Sequence, residues 1–272
     1  MNSELVSRFA VDYGGTMRVF LFGGSMGTIM AIILSCRQGE DFYAHKQYTS
    51  NKFSRTLALI GTAICWIFFP LFNMDISPQL FISSHAGIST FLCISSSVIT
   101  MIAVCMVVEQ RIELRCLITS VIAGGVIVGS SSSNIYSPLG AFILGIIAAI
   151  LQYIFVRVEI ECFGMKPYVS NGVFFLFVVH GFIGSLFSSV FRAINQTSGT
   201  FANDYNSLSS EFITNQVGQV IATFITLGLG SGTGALLGLI LLPLTKETTK
   251  SYYDDKGYWI LEDEALMDKW FD

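Results

Sequence analysis

His180 lies inside Val173–Phe191, a stretch in which nearly every other residue is apolar. An imidazole takes up or releases a proton near neutral pH, so it is the side chain best suited to pass a proton along an apolar path. An ionisable group at membrane depth is expensive and by default marks a pathway or a site. The alternative is a packing histidine bonded to a backbone carbonyl, and on the residues alone both readings stand. Other chemistry-bearing patterns point elsewhere. Gly228-Leu-Gly230-Ser-Gly232-Thr-Gly234 lacks the Lys-Ser/Thr of a phosphate-binding loop and suits close helix packing instead. Cys36, Cys65, Cys93, Cys105, Cys116 and Cys162 lie in or at the ends of apolar runs without a Cys-x-x-Cys pair, so neither a metal site nor a disulfide scaffold is expected. His45 and His85 read as solvated. The sequon Asn195-Gln196-Thr197 falls a few residues past an apolar run, too close for glycosylation to be expected. No nucleophile–base set, metal-ligand spacing or nucleotide loop supports an enzyme, and no cofactor is expected.

Composition says where these residues sit. The 272-residue chain is 52% hydrophobic and 12% charged, against about 25% charge in a soluble domain. It reads as an all-α polytopic membrane protein whose first partner is the lipid bilayer. A net charge of −4 without basic clusters gives no reason to expect nucleic acid as a partner. Met1–Thr16 is acidic and polar, with no basic n-region before an apolar stretch, so no cleavable signal peptide is expected.

A membrane helix needs about 20 apolar residues. Seven stretches qualify, at about 17–36, 54–72, 81–108, 116–133, 137–158, 172–191 and 217–244. The fourth is rich in Gly and Ser, as befits a helix buried among others. They predict one membrane domain over 1–245 and an acidic tail over 246–272, whose Glu262-Asp263-Glu264 reads as a solvated face and whose Trp259 and Trp270 suit docking to a partner or to headgroups. Seven spans put Arg8, Arg18 and Arg192 on one side and every other Lys and Arg on the opposite side. Positively charged loops stay inside, so the N-terminus is predicted outside and the C-terminus inside. Many transporters enclose their site between two inverted repeats, and seven spans are too few for that arrangement.

Several segments together resemble the Rh branch of the ammonium-transporter (Amt/Rh) superfamily, specifically its second half. Asp12-Tyr-Gly14-Gly15-Thr-Met17 resembles the motif that opens the family's fifth helix. Gly61-Thr62 through Trp66 to Pro70-Leu-Phe72-Asn73 resembles the sixth. Ala123-Gly-Gly125-Val-x-Val128-Gly129 followed by Pro138-x-Gly140-Ala141 resembles the eighth and ninth, and His180-Gly181-x-x-Gly184 the tenth. Tyr252-Tyr-Asp-Asp255-x-x-Tyr258-Trp259 is similar to the Rh cytoplasmic tail. Their order and spacing carry the resemblance over nearly the whole chain. It implies helices five to eleven of the family fold, N-out and C-in, without the four helices that supply one pore wall in the family.

The resemblance also implies a pore, and the residues depart from it. The family sets two histidines side by side. His180 matches the second, and the first falls eight residues after Asp12, where this chain has Phe20. A phenyl ring offers no lone pair for a proton relay. Arg18 adds a fixed cation nearby, which either snorkels to the interface or pairs with Asp12. Ser170-Asn171-Gly172 and an apolar run replace the family's polar lead into the tenth helix. Asp12 is similar to the family's structural carboxylate that caps backbone amides, and Phe72 to its gate phenylalanine, although packing is the commoner role of a membrane Phe. His180, Phe20, Phe72 and Asp12 therefore form the pore-like set, read as vestigial. The favoured expectation is a non-transporting structural subunit of a larger membrane complex. The alternative is an ammonium or ammonia channel component whose missing wall is supplied by another chain; a hetero-complex is the favoured assembly and a homotrimer the alternative. The mitochondrial inner membrane and the plasma membrane both fit the charge pattern.

Overall fold

The computed structural model describes residues 2–35, 52–74, 80–163, 172–198 and 216–243, and the regular elements among them are all helical. A short helix, α1 (Asn2–Phe9), precedes a π-helical turn, Thr16–Leu21, that runs directly into α2 (Phe22–Ser35). Four helices follow: α3 (Lys52–Asn73), α4 (Leu80–Val108), α5 (Leu114–Val128) and α6 (Pro138–Phe163). A second π-helical turn, Phe174–Val179, leads into α7 (His180–Ser198), and α8 (Gln216–Leu241) completes the bundle. Cys36, His45 and the acidic tail 246–272 lie outside the described residues, as does most of the two longer polar stretches.

Among the described residues six helices are long and apolar enough to cross a membrane, and α5 is shorter. The fourth span, expected to continue to Ser133, stops at Val128. Its Gly-Ser run is a buried turn instead: Ser131 N–H donates to Val128 O at 2.9 Å and Asn134 N–H to Ser131 O at 2.8 Å. Non-helical backbone at such depth survives only where protein groups satisfy it. Here the serine hydroxyls do so, Ser131 Oγ donating to Val128 O and Ser132 Oγ to Gly129 O. A hydropathy window reads small residues as permissive and misses that their hydroxyls end the helix.

Small residues also set the packing. Along α8, side chains at Gly230 and Gly234 would collide with Ser25 and with the backbone of Met26 on α2, so the two helices meet backbone to backbone. Gly228 and Gly232 have open space instead, so one glycine register is used for this contact. α4 lies against both α5 and α6. Ser97 Oγ donates to Ser120 O of α5, and Ser96 Oγ to Phe142 O of α6. Cys93, Ala123, Ile127, Val128, Leu144, Ala148 and Leu176 form the central apolar core. By contrast, α3 packs through a narrow stripe at Thr62, Trp66, Phe69 and Asn73, leaving Leu57, Ile60, Ile64, Ile67 and Leu71 exposed.

At the end of the bundle far from Asp12, Arg157 of α6 bridges Glu109 at 2.8 Å and Glu113 at 3.3 Å. Tyr153 Oη donates to the same Glu109 at 2.8 Å. These bonds pin the α4–α5 turn, in which Gln110 takes the left-handed φ of 57°.

Candidate functional site

The two π-helical turns place Phe20, which lies in the first, and His180, which directly follows the second. Shortly before each lies a glycine with positive φ, Gly15 at 68° and Gly172 at 67°, a conformation that costs little without a Cβ. π-turns inside membrane helices are rare and concentrate at functional positions. They also pack on each other: a side chain at Gly24 would strike Phe177 and Val178, and one at Gly181 would crowd Leu21. The sequence carries a signal for this pairing that motif reading passes over. Phe22-x-Gly24-Ser25-x-x-Thr28 recurs as Phe182-x-Gly184-Ser185-x-x-Ser188. By that match Phe20 and His180 stand at equivalent positions, each two residues before its Phe.

The structure does not leave Phe20 and His180 in equivalent surroundings. Phe20 stacks on Phe177 with ring centroids 5.7 Å apart and planes 4° apart. It also stacks on Phe69 at 5.8 Å and meets Phe72 edge-on at 5.6 Å. Phe69 and Phe72 are themselves edge-on at 6.0 Å, so four rings from α3 and both π-turns form one apolar cluster. Phe72 remains 52% exposed at its margin. Sequence reasoning singled out Phe20 and Phe72 and missed Phe69 and Phe177, because composition does not distinguish a cluster phenylalanine from a packing one.

His180 is 0% exposed and turns toward α6. Nδ1 lies 2.8 Å from Phe175 O and Nε2 lies 3.2 Å from Ala148 O of α6. The ring meets Phe155 of α6 edge-on at 6.0 Å, and Phe155 stacks on Phe175. The residue was open to a relay role or a packing role on sequence grounds. Here both ring nitrogens lie against main-chain carbonyls.

Asp12 is 2% exposed and terminates the first π-turn. Its Oδ2 accepts from the backbone N–H groups of Met17 and Arg18, each at 2.9 Å, satisfying donors that a helix start leaves free. Burial pushes the Asp12 carboxyl above the ordinary carboxylate range, while the amides of Arg18 and Met17 and the Arg18 guanidinium pull the other way. The loop from Asp12 is then tied to the Ser130 turn. Gly14 N–H donates to Gly129 O at 3.1 Å, and Thr16 Oγ1 accepts from Ser130 N–H at 2.7 Å while donating to Val126 O. Asn73 Nδ2 reaches Gly125 O at 3.0 Å. Ser188 Oγ donates to Ser130 O, and Gln219 Nε2 bonds Ser188 and Val11 O at 3.0 Å each. This network spans α3, α5, α7, α8 and the first π-turn. It makes the Asp12 end a rigid polar plate beside the aromatic cluster.

His85, expected to be solvated, is half-buried, with Nδ1 3.5 Å from Ser89 Oγ and its ring against Tyr136. Among the described residues no three His, Cys, Asp or Glu side chains gather into a metal-sized group.

Comparison with known proteins places this geometry. The profile described as the Ammonium Transporter Family matches residues 3–258. Rhesus-like glycoprotein A of Dictyostelium discoideum is 29% identical over 269 residues, which is 93% of this chain and 49% of that protein. The ammonium transporter Rh type C of Oncorhynchus mykiss is 28% identical over 271 residues, 94% of this chain and 54% of that protein. The chain thus spans about half the length of these relatives. The solved Rh50 structure of Nitrosomonas europaea shares the fold at a TM-score of 0.71 with 23% identity, over 98% of this chain and 65% of that one. The profile match covers nearly the whole chain and agrees with the apolar helices: this integral membrane protein belongs to the ammonium transporter family.

Proposed function

We infer that the chain is a degenerate family member serving as a non-conducting structural subunit of a larger membrane complex. The carrying observation is the aromatic cluster at Phe20. Where the family sets its first histidine, four packed phenylalanine rings leave neither a lone pair nor a polar lining for a cation stripped of water. The surroundings of His180 support the same reading, because a main-chain carbonyl faces each ring nitrogen and Phe155 meets the ring edge-on. The lysine and arginine distribution supports an orientation with the N-terminus outside. Membrane helices associate by close packing rather than by hydrophobicity, and the exposed faces of α3 offer area for neighbouring subunits.

The second reading is an ammonium or ammonia channel component, completed by another chain or a homotrimer. It is favoured by the family match and by relatives named as ammonium transporters. One experiment separates the two. The protein is purified in mild detergent, its companion chains are identified, and the preparation is reconstituted for methylammonium uptake. The structural role predicts a hetero-complex and uptake equal to protein-free vesicles, unchanged by His180→Ala. Uptake that depends on His180 would overturn it.

A further inference from the structure

α1 is a polar helix set at the depth of lipid tails. Val11 N–H donates to Gln219 Oε1 and Gln219 Nε2 donates back to Val11 O, near the start of α8. From there α1 lies along α8 toward the middle of the bilayer. Val6 and Ala222 share one core cluster, and Thr226 Oγ1 donates to Asn2 Oδ1 at 3.4 Å. Thr226 stands ten residues after Gln216, and ten residues of helix rise about 15 Å. That is half of the roughly 30 Å of a bilayer's hydrocarbon. Glu4 lies between Asn2 and Val6 and therefore sits well inside that layer.

Three of the eight residues of α1, Leu5, Val6 and Phe9, are apolar. Val6 is buried against α8, whereas Glu4 is exposed. Glu4 also interacts within its own chain, and an outward surface is left over. A carboxylate at such depth is costly against lipid, and such residues face a bundle interior, a water-filled cavity or an opposite charge. Glu4 faces out of this bundle. The surface beside it does not suit water either. Along α8 one stripe is buried at Gln219, Ala222 and Thr226, then opens to Leu237 and Ile240, which are 38% and 62% exposed. α1 stops midway along a stripe that a full-length helix would cover whole.

We propose that a transmembrane helix of a partner subunit packs on α1 and on the 236–240 face of α8, with a lysine or arginine opposite Glu4. This rests on the chain being a subunit of a larger membrane complex, and it names one face through which the chain binds.

The test purifies the complex in mild detergent from cells whose chain carries a benzophenone phenylalanine in place of Leu236, which is 63% exposed. Irradiation products are mapped by mass spectrometry. The expected product joins position 236 to an apolar segment of a companion chain that also holds a lysine or arginine. Glu4→Lys should then cut recovery of that companion about tenfold or more, as breaking a buried ion pair does. Changing the mapped basic residue of the companion to glutamate should restore recovery, which also shows that the Glu4→Lys chain folds. If Glu4→Lys does not accumulate, Glu4→Gln takes its place, with companion recovery falling several-fold at an unchanged yield of the chain itself. A product with lipid alone, with this chain itself or with a segment lacking a basic residue overturns the proposal. So does undiminished companion recovery once the Glu4 charge is lost. Companions that still co-purify in those cases leave the subunit reading standing, whereas a chain that purifies without companions removes both.

Discussion

Replacing Asp12 separates the shape of its cap from its charge. Asp12→Ala removes the acceptor of two charge-assisted bonds, both 2.9 Å long and both to Oδ2. The amides of Met17 and Arg18 are then left without their partner. Hydrogen bonds to charged groups contribute about 1.5–3 kcal/mol each. Sharing one oxygen makes the second bond worth less, and removing the carboxylate relieves its burial, so about 2–3 kcal/mol is the expected loss. For a chain of this size that is roughly 5–10 °C in melting temperature. Asp12→Asn keeps an oxygen for both amides and should lose about 1 kcal/mol. The pH dependence gives an independent check. Burial raises the folded-state pKa, so the native protein binds this proton more tightly than the unfolded chain. Its stabilising contribution is complete below the unfolded value near 3.9. It is lost as pH rises from there through the higher folded value, and Asp12→Asn should flatten that segment of the curve. Thermal melting of detergent-purified protein from acid to neutral pH measures both effects. An alanine variant as stable as the parent, or an asparagine variant as damaged as the alanine one, would refute the capping argument.

Gly184→Ala should prevent a monodisperse preparation, because the new Cβ would press within 2.9 Å of the Ile127 backbone, which cannot yield. Gly228→Ala, facing open space, should be tolerated and raise helix stability by about 0.5–1 kcal/mol; size-exclusion profiles and melting compare the two. Phe20→His should weaken the protein by about 1–2 kcal/mol through its lost ring pairs, each worth about 0.5–1.5 kcal/mol, and still yield no methylammonium uptake in vesicles. Arg157→Met should cost about 0.5–1 kcal/mol in melting experiments, since its pairs with Glu109 and Glu113 are partly exposed.

Hydropathy and motif order made the helical membrane fold legible, because spanning a bilayer demands runs of apolar residues whatever they pack against. They also exposed the change at Phe20, since Asp12 sits at a set distance along the same chain. Where each span bends or stops was hidden. α5 ends at Val128 in a turn where Ser131 and Ser132 hydroxyls answer local carbonyls, and Ser130 is held there by Thr16 and Gly184, partners distant in sequence. The two π-turns were hidden too, because a wider turn leaves no compositional mark. His180 is the clearest division. The residue types announced a costly histidine in an apolar helix. Only the second π-turn, which brings Phe175 O to one ring nitrogen, and the approach of α6, which brings Ala148 O to the other, set the ring's surroundings. An imidazole's chemistry follows from what its two nitrogens face, and spacing along the chain does not encode that.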